Sequence, residues 1–375
     1  MVPCEDDDSN HRLRREPSKR ARPGRARGGA KGAGKVEWTG DAIPLPVRDG
    51  VNATRLRLPD EGPWTTAMDY MMHRWGHIDP QGIEDRFDAG EIVGEGGVAL
   101  DRATRLEDHT FIWYYRSLPP ETRIPVEISI LHQDDHLLVV DKPHFLPTTP
   151  GGTYIQESAL VRLRNQLGLP DLIPMHRLDR MTAGVLLLST NPETRGNYQV
   201  LFEKRQVQKE YECVSAAEPA GHPAVDFPVV VRNRMTKSRS YLLAEVIEGE
   251  PNAETRIERL ETFDGGTSAG AAVTLAPGTT AAGTTAAETH PARLARYRLE
   301  PHSGKTHQLR VHMASLGLGI VNDSFYPDLL DKAPDDYSKP LQLLARGIRF
   351  VDPISKKPVE YRSGLHLSEA AQTLR

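Results

Sequence analysis

The stretch PMHRLDRMTAGVLLLST, residues 174–190, sets His176, Arg177, Asp179 and Arg180 directly before an apolar run from Val185 to Leu188. Apolar runs of that kind go inside, so the charges ahead of this one sit at a strand mouth, either solvated or held there for a purpose. Asp179 is the residue with chemistry to offer. A carboxylate flanked by Arg177 and Arg180 stays ionised, because a neighbouring guanidinium favours the charged form. Such an ion can act as nucleophile or base. It can also pair with an arginine merely to hold a loop.

Other chemistries find less support. His302, His307 and His312 cluster in sequence, but there is no HExxH and no cysteine pair at zinc spacing, so no metal site is expected. No Walker loop, no GxGxxG after a strand and no GxSxG elbow occurs, which disfavours a nucleotide-cofactor enzyme. Cys4 and Cys213 are the only cysteines, and a structural disulfide between them is not expected. That cysteine usage, an acidic start without an apolar leader and the lack of a long apolar stretch lead to the expectation of a soluble protein in a reducing, cytoplasmic compartment.

The elements that must position Asp179 follow from periodicity. HLLVVDKP, 136–143, reads as a buried strand stopped by Pro143, and VLLLST as another. Asn191 is expected to cap a helix with Pro192 at its first position and Tyr198, Leu201, Phe202 and Arg205 along one face. VQKEYECV, 207–214, alternates with period two, so Val207, Lys209, Tyr211 and Cys213 share a strand face. A strand at 297–300 leads into a helix from about Thr306. Leu309, Met313 and Leu316 form its apolar stripe, Gly317 ends it, and His307 and Arg310 lie three residues apart on another face. LQLLARGIRFVDPISKKPVEY reads as strand, turn and strand. Strands and helices mixed without strict βαβ alternation predict an α+β fold.

Residues 50–118 read as a separate small α/β module. Thr65 or Thr66 caps a helix carrying Met68, Met71, Met72 and Trp75, and a second short helix carries Ile83 and Phe87. AGEIVGEGGVALD is expected as a hairpin and HTFIWYYR as a strand, with a proline-rich connector after it. Residues 1–40 are expected to be a disordered basic tail: 11–35 hold ten lysines and arginines against one acid, Glu16. Such a tail attracts polyanions without sequence preference. A low-complexity insertion is expected at about 264–290.

The motif HRLDR followed by TAGVLLLST resembles the signature of the RluA-type RNA pseudouridine synthases. Three further stretches are similar to that family's motifs, in the same order: DDHLLVVDKP at 134–143, VQKEYEC at 207–213 and SGKTHQLRVHMASLGLGIVNDSFY at 303–326. The 50–118 module is similar to the alpha-L RNA-binding module of ribosomal-protein type. The resemblance implies a catalytic domain over 119–365 with a mixed, largely antiparallel sheet and flanking helices. It implies an enzyme without cofactor or metal that isomerises uridines in structured ribosomal or transfer RNA, as a monomer and away from membranes. Asp179 would be the catalytic aspartate. Tyr211 would stack on the uracil and assist loss of the C5 proton, Arg310 would pair with Asp179, and Lys209 would neighbour the site or a phosphate. His176 and Arg177 would shape the loop or displace the target base. The alternatives are a non-catalytic RNA-binding or assembly protein on the same fold and a metal hydrolase using the histidines. Met181, Lys305 and Leu343–Ala345 depart from the commonest family pattern, and none of them belongs to the implied triad.

Overall fold

The computed structural model describes residues 43–118, 120–238, 243–264, 293–330 and 336–371. The expected basic tail and, Asp264 apart, the expected insertion lie outside these residues.

The N-terminal module consists of β1 (Thr54–Arg57), α1 (Ala67–Trp75), α2 (Pro80–Asp88) and β2 (Phe111–Tyr114), with β1 antiparallel to β2. Thr66 caps α1: its hydroxyl accepts from Asp69 N at 3.0 Å, and the Asp69 carboxylate accepts from Thr66 N at 2.9 Å. Met71 packs into a buried cluster with Ile83 and Phe87, and Met68, Met72 and Trp75 line its edge. The segment expected to be a hairpin, Ala89–Asp101, doubles back on itself without a regular strand ladder: Gly94 N donates to Val98 O and Leu100 N to Ile92 O, both at 2.8 Å. Val93 bridges singly to Ala99 and Trp113 around a tight turn at Glu95–Gly97. Glu95, at the turn, ties it to the segment before β2: its buried carboxylate accepts from Thr110 N, Phe111 N and His109 Nδ1.

The larger domain runs β3 (Ser129–Gln133), β4 (Leu137–Lys142), α3 (Ala159–Leu167), β5 (Ile173–Pro174), β6 (Ala183–Ser189), α4 (Arg195–Glu203) and β7 (Gln208–Ala216). It continues with β8 (Val229–Lys237), β9 (Ala244–Ile247), β10 (Ala253–Asp264), β11 (Arg293–Pro301), α5 (Gln308–Ser315), β12 (Leu343–Val351), β13 (Pro358–Arg362) and α6 (Ser368–Ala371). Eleven strands make one sheet in the order β3-β4-β6-β12-β7-β11-β10-β8-β9, with β13 on β12 and β5 on β6. Among the described strands β6–β12 is the single parallel pair, so the expectation of a mixed, largely antiparallel α+β sheet holds.

β4 and β6 are buried at every position because both faces are covered. Leu138, Val140, Leu186 and Leu188 pack with Leu160 and Leu163 of α3. The alternate residues Leu137, Val139, Val185 and Leu187 pack with Tyr198 and Leu201 of α4. Gly184, at φ 112°, lets β6 approach β12, since a Cβ there would run into the Ala345 carbonyl. The helix expected to be capped by Asn191 begins three residues later, with Thr194 at its N-cap. Asn191 instead builds a turn: its side-chain oxygen accepts from Glu193 N at 2.9 Å and its carbonyl from Arg195 N at 3.1 Å.

Three histidines of this domain, the buried His312 and the half-buried His144 and His176, are held as neutral rings. Burial pushes the pKa of His176 down to about 3, with Lys209 adding to the effect. Burial likewise pushes His144 and His312 down to about 4. In the unfolded chain these rings titrate near 6.5, so between 6.5 and 4 the unfolded state binds more protons. Their contribution to stability is therefore complete above pH 6.5 and is lost as the pH falls toward 4. His312 bonds Thr255 Oγ1 at 2.9 Å and Asn233 Oδ1 at 3.0 Å. His312→Gln keeps polar atoms there without a titrating ring. Urea unfolding from about pH 7 to about pH 4.5 is expected to show a shallower acid loss for this variant than for wild type. Equal slopes would mean the ring is not held neutral.

Candidate active site

Asp179 stands at the base of a cleft of about 770 Å³ where the β5–β6 loop, β7 and the N-terminus of α5 converge. The loop is clamped on both sides. Thr148 Oγ1 donates to Leu178 O at 2.7 Å and accepts from Leu178 N at 3.1 Å. The buried Lys142 ammonium donates to Pro143 O at 2.8 Å, Leu146 O at 2.7 Å and Arg180 O at 3.4 Å. Burial lowers the Lys142 pKa to about 7, against the opposing pull of Asp179. Three carbonyl acceptors match the three donors of the ammonium form, so the charged lysine is the species this geometry holds.

The guanidinium groups beside Asp179 in sequence are not its partners. Arg180 Nε donates to Phe145 O at 2.9 Å, and its guanidinium lies 4.6 Å from the Tyr154 ring centroid. Arg177 is exposed on the cleft wall. The charges that face Asp179 come from α5 instead: Arg310 Nη1 at 3.7 Å and His307 Nε2 at 3.8 Å.

The expected Arg310–Asp179 pair is present at 3.7 Å, but it is the lesser of two. The principal partner of Arg310 is Asp323, which sequence reasoning missed. Arg310 Nε and Nη2 donate to the two Asp323 oxygens at 2.8 and 2.5 Å, and neither side chain is more than 2% exposed. Asp323 Oδ1 also accepts from Phe325 N at 2.8 Å and Tyr326 N at 3.2 Å. Two arms of the guanidinium fork are thus occupied, and the third is aimed at Asp179. Burial pushes the Arg310 pKa down, but Asp323 and Asp179 outweigh it and the net shift is upward.

His307 sits at the α5 N-cap in the left-handed region, at φ 53°. The Tyr326 hydroxyl accepts from Ala244 N at 2.7 Å and donates to Ala244 O at 3.1 Å. Its remaining lone pair accepts from His307 Nδ1 at 3.0 Å. This assigns the neutral ring its proton on Nδ1 and leaves Nε2 toward Asp179 as the nitrogen that gains or loses a proton. Burial lowers the His307 pKa and the Asp179 charge opposes it.

Tyr211 and Lys209 share the cleft-facing side of β7, as the period-two pattern predicts. Burial raises the Tyr211 pKa and the Asp179 charge raises it further, so the phenol stays protonated at neutral pH. Lys209 Nζ reaches Ser303 O at 3.5 Å, and burial lowers its pKa. His176 is a loop anchor: its ring stacks on Phe202 at 5.4 Å and its Nε2 accepts from Leu187 N at 3.2 Å. A ring tied in this way is not available to displace a base. Arg205, Lys237 and Lys305 also line the cleft. Lys237 belongs to β8, whose place beside the site no sequence spacing reveals. No group of His, Cys, Asp and Glu able to hold a metal ion occurs among the described residues. The arrangement is a carboxylate beneath a neutral phenol, ringed by cations. It suits an aromatic substrate carrying phosphates.

Residues 136–315 match the family described as RNA pseudouridylate synthase. An uncharacterised RNA pseudouridine synthase of Synechocystis sp. is 26% identical over 260 residues, 69% of this chain and 78% of that protein. The dual-specificity RNA pseudouridine synthase RluA of Salmonella typhi is 30% identical over 216 residues, 55% of this chain and 81% of that protein. A mitochondrial tRNA pseudouridine synthase of Saccharomyces cerevisiae is 29% identical over 214 residues, of whose length the match spans 39%.

Proposed function

We propose, since this chain belongs to the RNA pseudouridylate synthase family, that its cleft isomerises specific uridines of ribosomal or transfer RNA to pseudouridine with Asp179 as the catalytic carboxylate. The observation that carries this is the placement of Asp179 between the third arm of Arg310 and the Tyr211 ring side of the cleft, within the matched segment. A pure RNA binder has no use for a carboxylate at the base of a cationic cleft.

The reaction breaks the bond from the ribose C1′ to N1, turns the uracil and joins C5 to the same carbon. C5 loses a proton and N1 gains one, so substrate and product contain the same atoms. No oxidant, reductant or group donor enters the balance, which supports a cofactor-free reaction. Asp179 serves either by adding to the ribose or by removing a ribose proton. Arg310 orients its carboxylate. Lys209 and Arg177 stand where phosphate or base passes, and His176 fixes the loop. The 50–118 module acts as an alpha-L-like RNA-binding unit. Monomeric action in the cytoplasm completes the reading.

A Tyr211 phenol that stays protonated is a poor base, so stacking is the role the site favours for it. Tyr211→Phe is expected to stay close to wild type. Tyr211→Ala loses a stacking platform worth about 1–3 kcal/mol, roughly a fivefold to 150-fold drop in kcat/KM. Single-turnover assays of both variants check this, and a severe loss in Tyr211→Phe would return proton transfer to the hydroxyl. The function itself is tested by mapping pseudouridine in total RNA from cells with and without the gene. Sites that vanish name the substrate. An unchanged map, once redundant synthases are removed, leaves the binding-protein reading in place.

A further inference from the structure

A second cavity, of about 570 Å³, lies where the N-terminal module meets the catalytic domain. Three arginines line it against one acid, Asp49. Arg48 lies flat over the Tyr115 ring, 3.9 Å from its centroid, and Arg116 Nε donates to Thr54 Oγ1 at 3.1 Å. Both are exposed. Arg164, on α3, is only 5% exposed. It bonds neutral acceptors alone: Leu172 O at 3.1 Å, Gly50 O at 2.9 Å and Asn52 Oδ1 at 3.2 Å. Its Nη2 makes no hydrogen bond among the described residues.

Several arginines of the module are paired with acids, although Arg74 bonds the Tyr70 hydroxyl and lies over the Trp75 ring instead. Arg57 pairs with Asp60, Arg86 with Asp79, and Arg102 with Glu84 and Asp88. Those cations are neutralised within the fold. Arg48, Arg116 and Arg164 have no carboxylate partner among the described residues. The buried Arg164 guanidinium bonds only neutral acceptors, with Asp171 balancing its charge in part from beyond ion-pair distance, and an anion in the cavity would add to that balance. The cavity wall is also tied to the active site: Thr149 and Pro150 line it, and the preceding Thr148 is the residue that clamps Leu178 beside Asp179.

We propose that this junction cavity seats a backbone phosphate of the RNA, with Arg48, Arg116 and Arg164 as its cations; the proposal rests on the RNA-modifying reading above. RNA held there would be anchored to both domains at once, on the far side of the Thr148 loop from Asp179.

The test is fluorescence anisotropy of the full chain with a labelled stem-loop RNA carrying unpaired uridines, over a salt series. Wild type is compared with Arg48→Gln/Arg116→Gln and with Arg102→Gln, a change at a neutralised cation. The double variant is expected to bind several-fold more weakly at low salt. Its log–log salt slope should be shallower by roughly 0.7–0.9, the value of one phosphate contact. Arg102→Gln is expected to keep the wild-type slope. A double variant with the wild-type slope, or an equal change in Arg102→Gln, overturns the site. Tritium release by the wild-type protein from uridine-labelled total RNA is measured alongside. Release with an unmoved slope overturns the junction site alone, and no release overturns it together with the reading beneath it.

Discussion

Asp179→Asn is expected to abolish pseudouridine formation, by more than ~10³-fold, while leaving the fold and RNA binding intact. The amide is nearly isosteric with the carboxylate but can neither add to the ribose nor accept its proton. The surroundings should not collapse, because Arg310 keeps its two bonds to Asp323 and the loop keeps its Thr148 and Lys142 clamps. RNA affinity should hold or rise, since one negative charge leaves a cleft lined by Arg177, Lys209 and Lys305. Tritium release from C5-labelled uridine measures the chemistry, and a binding titration measures the rest. A variant retaining a substantial part of the wild-type rate would move the chemistry to another group, with His307 Nε2 the nearest titrating atom described.

Asp323→Asn is expected to cost about 10²-fold in kcat with little change in KM for RNA. The side chain does not touch the cleft, so binding should be spared. Its role is to occupy two arms of Arg310 and thereby fix the third on Asp179. Asn preserves an acceptor for the Phe325 and Tyr326 amides but removes the charge that balances a buried guanidinium. Arg310 then turns toward Asp179, the nearest remaining carboxylate, and drags it from its working position. A displacement of about 1 Å suffices for a loss of this size. Breaking a buried pair from one side also costs stability, about 3–5 kcal/mol, so a lower melting temperature should accompany the rate loss. A drop in melting temperature with kcat intact would make Asp323 structural only.

Much of this was legible in the chain because local pattern and burial agree there. β4 and β6 announce themselves as continuous apolar runs, and Lys209 and Tyr211 share a face because strand side chains alternate. Asp179 stood out as a charge before a buried strand, and the RluA-type motifs in order gave it the role proposed above. What stayed hidden depends on distance in sequence. Asp323 lies thirteen residues after Arg310 in a loop without periodicity, and nothing local links the two. Arg177 and Arg180 looked like the partners of Asp179 because they adjoin it, but a turn sends neighbouring side chains apart. The turn-back expected around Gly94 forms, but what ties it down was hidden in the same way: the buried Glu95 takes its partners from residues fourteen to sixteen positions away. The helix expected at Asn191 began late because an asparagine before proline satisfies itself in a turn.

The double clamp on the Asp179 loop bears on which uridines can be chosen. A loop fixed by Thr148 on one side and by Lys142 on the other does not reach outward to its substrate. The nucleotide has to come to the carboxylate, and a base paired inside a helix must leave its stack to reach it. The whole conformational cost of that approach falls on the RNA. It amounts to a few kcal/mol for a base inside a helix and much less for one already unstacked in a loop or bulge. Discrimination among otherwise identical uridines is then written partly in the secondary structure of the RNA, as a difference in opening energy that the rigid site selects without reading a single base edge.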